Sequence, residues 1–255
     1  MTKKVKGKIT VPAFFDVNGV SKKVIAIDAT FGSPGDIYDT DIDSPRNPGF
    51  PGKSSTLNSV TYVPVCYGEN LTHVFFEKYT ENDVEKCNIR FFCGATFSHS
   101  MNLVWVEFPE GLRLIGDYAF KMPGCQSRVV YPKFSNVNIG GTISVINQSA
   151  FQNTFSGDND TLIIGSNVWK IDNGGFTFSS YSDLNSDRTL GIKKIIIGTP
   201  EEKSKLRIVS GDPAFINYAS WSAITIESID WYTTLKQDAA NSLFSGFNKI
   251  NYINS

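Results

Sequence analysis

Leu112-Arg-Leu-Ile-Gly-Asp-Tyr-Ala-Phe120 decides the fold of this 255-residue chain, because the phrase returns with substitutions along its length. Val24-Ile-Ala-Ile-Asp-Ala-Thr-Phe31, Ile89-Arg-Phe-Phe-Cys-Gly-Ala-Thr-Phe97, Ile143-Ser-Val-Ile-Asn-Gln-Ser-Ala-Phe151 and Leu206-Arg-Ile-Val-Ser-Gly-Asp-Pro-Ala-Phe215 are its other copies. Val168-Trp-Lys-Ile-Asp-Asn-Gly-Gly-Phe176 keeps the frame with Gly175 in place of the alanine, and Gln237 to Phe244 reads as a poorly kept copy. Each copy supplies an inward aliphatic residue, a turn pair such as Gly116-Asp117, a small residue and a Phe that reaches inward. A unit of this size cannot bury its own apolar face, so it must stack on its neighbours. Stacking predicts a column of rings from Phe31, Phe97, Phe120, Phe151, Phe176 and Phe215.

A second apolar segment precedes each phrase. Its best copies are Asn70-Leu-Thr-His-Val-Phe-Phe76 and Asn102-Leu-Val-Trp-Val-Glu-Phe108. Cruder versions are Lys8-Ile-Thr-Val-Pro12, Arg128-Val-Val-Tyr-Pro132, Thr161-Leu-Ile-Ile-Gly165, Lys194-Ile-Ile-Ile-Gly198, Ala223-Ile-Thr-Ile226 and Lys249-Ile-Asn-Tyr252. Short runs of Val, Ile, Phe and Tyr ending in Pro or Gly predict strands bounded by turns. Gly, Asn, Ser and Asp fill the gaps and compete with helical hydrogen bonding, so helix is expected at most over 236–244. The spacing fails between Val11 and Phe76, where Gly32 to Ser55 carries Asp36, Asp39, Asp41 and Asp43 among prolines and glycines. That stretch predicts an irregular insertion at about 32–56 in an otherwise single domain over 1–255.

The Leu-x-x-Val-x-Phe-Pro and Leu-x-x-Ile-Gly-Asp-Tyr-Ala-Phe pattern resembles the BspA-like leucine-rich repeats, with Leu103 through Cys125 as a near-consensus unit. Lys8-Ile-Thr-Val-Pro, Val17-Asn-Gly and Val24-Ile-Ala-Ile are similar to the lead-in of those proteins. The resemblance implies a mainly β leucine-rich-repeat solenoid of short stacked strands with irregular loops and little helix. It also implies a cell-surface or secreted protein engaged in adhesion, and it carries over no catalytic residues. The opening Met1 to Lys8 is basic but runs into no apolar stretch, unlike a signal peptide.

Composition narrows the partners. The net charge of -1, with Lys and Arg scattered, supplies no basic track for nucleic acid. No apolar run approaches the roughly 18 residues of a membrane span. Cys66, Cys87, Cys93 and Cys125 form no Cys-x-x-Cys pair, so zinc and redox motifs are not expected, and the thiols read as small buried hydrophobes. Asp39, Asp41 and Asp43 imitate the start of a calcium loop, but Ser44 and Phe50 stand where its Gly and Glu belong. Ser98-His99-Ser100 lacks the strained turn of a nucleophile. No catalytic, cofactor or metal site is therefore expected, and no cofactor.

A binding face remains. Alternate residues of successive first strands point outward and predict two rows. One reads His73, Trp105, Arg128, Thr161, Lys194, and the other reads Phe75, Glu107, Val130, Ile163, Ile196. Aromatic rings and charges beside three apolar residues suit a protein or glycan partner. The alternative is an assembly module of a larger surface protein or virion, in which these rows are covered.

Overall fold

The chain was analysed as a computed structural model, which describes residues 3–27, 66–94, 96–97, 100, 103–121, 138–151, 161–178, 194–207, 213–217, 228–235, 241–246 and 252–253. Equivalent segments of successive repeats pair in parallel, which is how a coil stacked on its own copy satisfies backbone groups too short to pair internally. Along the first edge, Lys3–Val11 pairs with Cys66–Phe76, which pairs with Trp105–Val106. A five-stranded sheet of the same kind runs Asn138–Ile139, Thr161–Ile164, Lys194–Ile197, Ser228–Trp231, Tyr252–Ile253. The Ala-Phe phrases build the second edge, in the order Ala26–Ile27, Phe91–Phe92, Leu114–Ile115, Val145–Ile146, Lys170–Ile171. A third edge joins Phe176–Phe178, Phe215–Asn217 and Phe244–Ser245. The described residues thus form the strand-rich solenoid of short stacked strands that the repetition predicts.

Inside the coils, Phe92, Ile115, Ile146 and Ile171 are buried one above the other on the second edge. The phenylalanine column is present: Phe97, Phe120, Phe151, Phe176 and Phe215 stack with successive centroid distances of 5.1, 5.1, 5.0 and 5.1 Å. Phe244, from the poorly kept copy, continues it at 4.7 Å from Phe215. Phe31 lies outside the described residues. Backbone amides at the same corner hold the rings in step, as Phe120 donates to the Ala150 carbonyl, Phe151 to that of Gly175 and Phe176 to that of Ala214. One apolar cluster runs from Val11 to Phe244.

Several sequence expectations are corrected. The strand beside Lys194–Ile197 is Ser228–Trp231, not 223–226, and Ile197 sits opposite Trp231. Trp231 is the better terminal core residue because it buries a large ring and still donates its indole N–H to the Leu235 carbonyl, at 3.1 Å. The strand beside Thr161–Ile164 is Asn138–Ile139. At the end of the array Tyr252 faces Ile229, so the final strand is shifted against the one expected. Helix among the described residues is a single 3-10 turn over Asn241–Leu243. Val11 pairs directly with Phe76, and Ala26–Ile27 with Phe91–Phe92.

Two antiparallel hairpins were not foreseen. Phe14–Val17 folds onto Val20–Lys23 and Tyr79–Glu81 onto Val84–Lys86. Their turns place Asn18 and Gly19 at φ 54 and 77, and Asn82 and Asp83 at 54 and 59. That is the left-handed pair of a two-residue hairpin, and Asn-Gly is its strongest local signal. The hairpins pack on each other through Phe14 and Tyr79, whose centroids are 5.1 Å apart. Asn88 ties both to the coil, accepting from the Tyr79 hydroxyl at 2.8 Å and donating to the Ala13 carbonyl at 2.9 Å.

Candidate interaction faces

The expected front rows are partly assembled. Lys8, His73 and Trp105 occupy one rung, with Thr10 and Phe75 on the next. His73 and Phe75 lie on the same side, with ring centroids 6.2 Å apart and planes 12° from parallel. Glu107 closes this group by accepting the Phe76 backbone N–H at 3.0 Å. His73, Phe75, Trp105 and Glu107 are all half-buried. Burial, and then the charge of Lys8, hold the His73 imidazole below its ordinary pKa.

Farther along, the rows differ from the expectation. Arg128 and Val130 lie outside the described residues, and the neighbour of Ile163 is Asn138. The row therefore reads Asn138, Ile163, Ile196, Asp230, an apolar pair bracketed by polar groups rather than three apolar residues in succession. Beside it run Thr161, Lys194 and Ser228. Lys194 reaches across to Asp230 at 2.5 Å. Asp230 is buried, and no protein donor reaches its Oδ1.

A face that sequence reasoning missed lies on the second edge. The residue after the first inward position of each Ala-Phe phrase forms a column in which each backbone N–H bonds to the carbonyl of the preceding coil. It runs Ile25, Arg90, Arg113, Ser144, Trp169, Arg207, with N–H to O distances of 2.8, 2.8, 2.9, 3.0 and 2.9 Å. Trp169 is 41% exposed, and Arg113 and Arg207 are exposed. The signal was available as the variable position of the Leu-x-x-Ile motif, but only the pairing shows that these residues are consecutive neighbours.

Cys87 and Cys93 are buried, and burial pushes the Cys87 thiol upward, as for a packing residue rather than a reactive one. Asn147, which begins an Asn-x-Ser sequon, is 2% exposed. Cys125, His99 and the aspartates of the insertion lie outside the described residues. No described helix is long and apolar enough to cross a membrane.

No curated protein and no solved structure matches the chain. The profile of the BspA type leucine-rich repeat region matches in six copies, over residues 72–130 and 90–196. Those residues hold four of the five second-edge strands, and Phe97, Phe120, Phe151 and Phe176 of the ring column, so the likeness in sequence and the stacked geometry coincide there. Over residues 72–196 the chain is built of leucine-rich repeats of the BspA-like family.

Proposed function

We propose that this chain is a non-catalytic recognition module, a single solenoid domain that holds a protein or glycan partner through the front sheet. The observation that carries this reading is the register of Lys8, His73 and Trp105, with Phe75 stacked beside His73. Rigid rings on a hydrogen-bonded scaffold lose little entropy on binding, and the flanking cation and the Glu107 carboxylate supply orientation. Repeat modules of this family are often involved in surface adhesion, which favours a cell-surface or secreted setting. Ile163, Lys194 and Ile196 extend the face.

Assembly within a larger surface protein is the second reading, and the half-burial of Ile163 and Ile196 beside the Lys194–Asp230 ion pair favours it. Binding of the purified chain to panels of matrix proteins and glycans separates the two readings. Recognition predicts a ligand whose affinity falls at least roughly fivefold in Trp105→Ala and in Phe75→Ala. A uniformly blank panel leaves assembly as the reading.

A further inference from the structure

The second-edge column presents a different chemistry from the front sheet. Its three cations are not equivalent. Arg90 turns its Nη1 back onto the carbonyls of Cys87 and Ile89, at 2.7 and 2.9 Å, and so serves the fold. Among the described residues no carboxylate pairs with Arg113 or Arg207. Lys170, next to Trp169, is neutralised by Asp172 at 3.1 Å. Two unpaired guanidinium groups on one column of a chain with net charge -1 mark a local positive field that composition does not predict.

Between these cations stand a ring and a gap. Trp169 carries the Arg207 guanidinium over its indole, at 6.0 Å from the ring. Ser144 separates it from Arg113, and the Ser144 hydroxyl, exposed, donates to the Arg113 carbonyl at 3.0 Å. Two strand spacings, about 9 to 10 Å, therefore separate Arg113 from Trp169 with only a small hydroxylated side chain beneath. That space suits one flat ring bearing both C–H and O–H groups.

We propose that this column is a binding site for acidic saccharides, with Trp169 stacking on the apolar face of a sugar and Arg113 and Arg207 pairing with its carboxylate groups. A guanidinium matches a carboxylate with two parallel hydrogen bonds, which gives orientation as well as charge. A protein partner is disfavoured because the neighbours of Trp169 in the column are Ser144 and Arg207, so the patch lacks the apolar core that protein interfaces build around their anchors. Nucleic acid is disfavoured because two free cations do not make a phosphate track.

The test is titration of the full chain with a hyaluronan hexasaccharide, with sialyllactose and with a neutral chitin hexasaccharide, followed by tryptophan fluorescence and calorimetry. At least one acidic sugar binds, the neutral one does not, and affinity falls about tenfold in Trp169→Ala and in the Arg113→Gln, Arg207→Gln double variant. Trp169→Phe retains binding, and Val84→Ala, on the second hairpin and 55% exposed, leaves it unchanged. All of these side chains are surface groups, and coincident thermal melts verify that the variants fold. Absence of binding by both acidic sugars overturns the proposal. So does an unaffected Trp169→Ala, or equal affinity for a polyglutamate peptide or an oligo-dT strand.

Discussion

Phe120 and Phe151 lie in successive coils with their ring centroids 5.1 Å apart and their planes 3° from parallel. Phe151 repeats the relationship with Phe176, at 5.0 Å and 3°. Such parallelism follows from backbone hydrogen bonds that advance one coil at a time and place equivalent side chains in equivalent rotamers. The column transmits the register of the solenoid from one repeat to the next.

Phe151→Ala removes a fully buried ring that has a stacked neighbour on each side. The expected loss is roughly 3 to 5 kcal/mol, from lost burial plus the cavity left behind. Urea unfolding followed by circular dichroism measures it. A loss below about 1 kcal/mol would show that neighbouring rings close the gap.

Gly175 stands where Ala119, Ala150 and Ala214 stand in other copies, so a consensus argument favours Gly175→Ala. A Cβ there would sit 2.5 Å from Ile171 Cγ2 and 3.3 Å from the Asp172 carbonyl oxygen. The expected outcome is a destabilisation of about 1 to 2 kcal/mol from overpacking. A raised melting temperature would contradict the geometry.

Tyr118, Ser149 and Gly174 hold the same corner position at φ 56, 50 and 58. An L side chain with a Cβ is strained in this left-handed region. Ser149→Gly is therefore expected to be neutral or stabilising by up to about 1 kcal/mol, against the usual penalty of a glycine. Gly174→Ala is expected to destabilise, since its Cβ would also meet Thr177 Oγ1 at 2.6 Å. Paired denaturation curves give both signs, and the same sign for both variants contradicts the assignment.

His73 is held below its ordinary pKa of 6.5, first by burial and then by the charge of Lys8. The folded state thus binds this proton less readily than the unfolded chain does. Its contribution to stability is fully present above about pH 6.5 and is lost as pH falls towards the lowered folded value. Proton NMR titration is expected to show a low His73 pKa that rises in Lys8→Gln, with less acid destabilisation. An unchanged value would remove Lys8 as a cause.

Lys194→Met leaves Asp230 buried with neither carboxylate oxygen partnered, because the ion pair is lost and Oδ1 already lacks a protein donor. The expected cost is roughly 1 to 3 kcal/mol, reduced from that of a fully buried pair because the Lys194 side chain is 37% exposed. The double variant Lys194→Met, Asp230→Leu is expected to recover much of the loss, since it leaves no orphaned charge. Additive losses in this cycle would mean that the two groups are not coupled.

The repeat, the ring column and the short parallel strands were legible in the chain because each rests on a local pattern. A buried Ile or Phe recurs at a fixed offset from a turn, whatever the loops between do. Even Phe244, in a copy that keeps little else, lies where its offset predicts. The first hairpin was legible too, through Asn18-Gly19, a stretch taken only as part of a family lead-in, whereas Asn82-Asp83 of the second carries no glycine to mark its turn.

Register between distant segments was not legible. Ser228–Trp231 and 223–226 are both apolar enough to pair with Lys194–Ile197, and the choice fell to the alternative that buries the Trp231 ring while satisfying its N–H. Asn138 displaced Val130 beside Ile163 in the same way. Outward residues carry no periodic signal, so the neighbours of Trp169 were hidden until backbone pairing set Arg113, Ser144 and Arg207 beside it. The amino-acid order thus established a solenoid and its inward spine, since burial is selected within each repeat. Which residues share a surface was decided by how many residues each loop spends between rungs, a long-range quantity settled only when the coils close on one another.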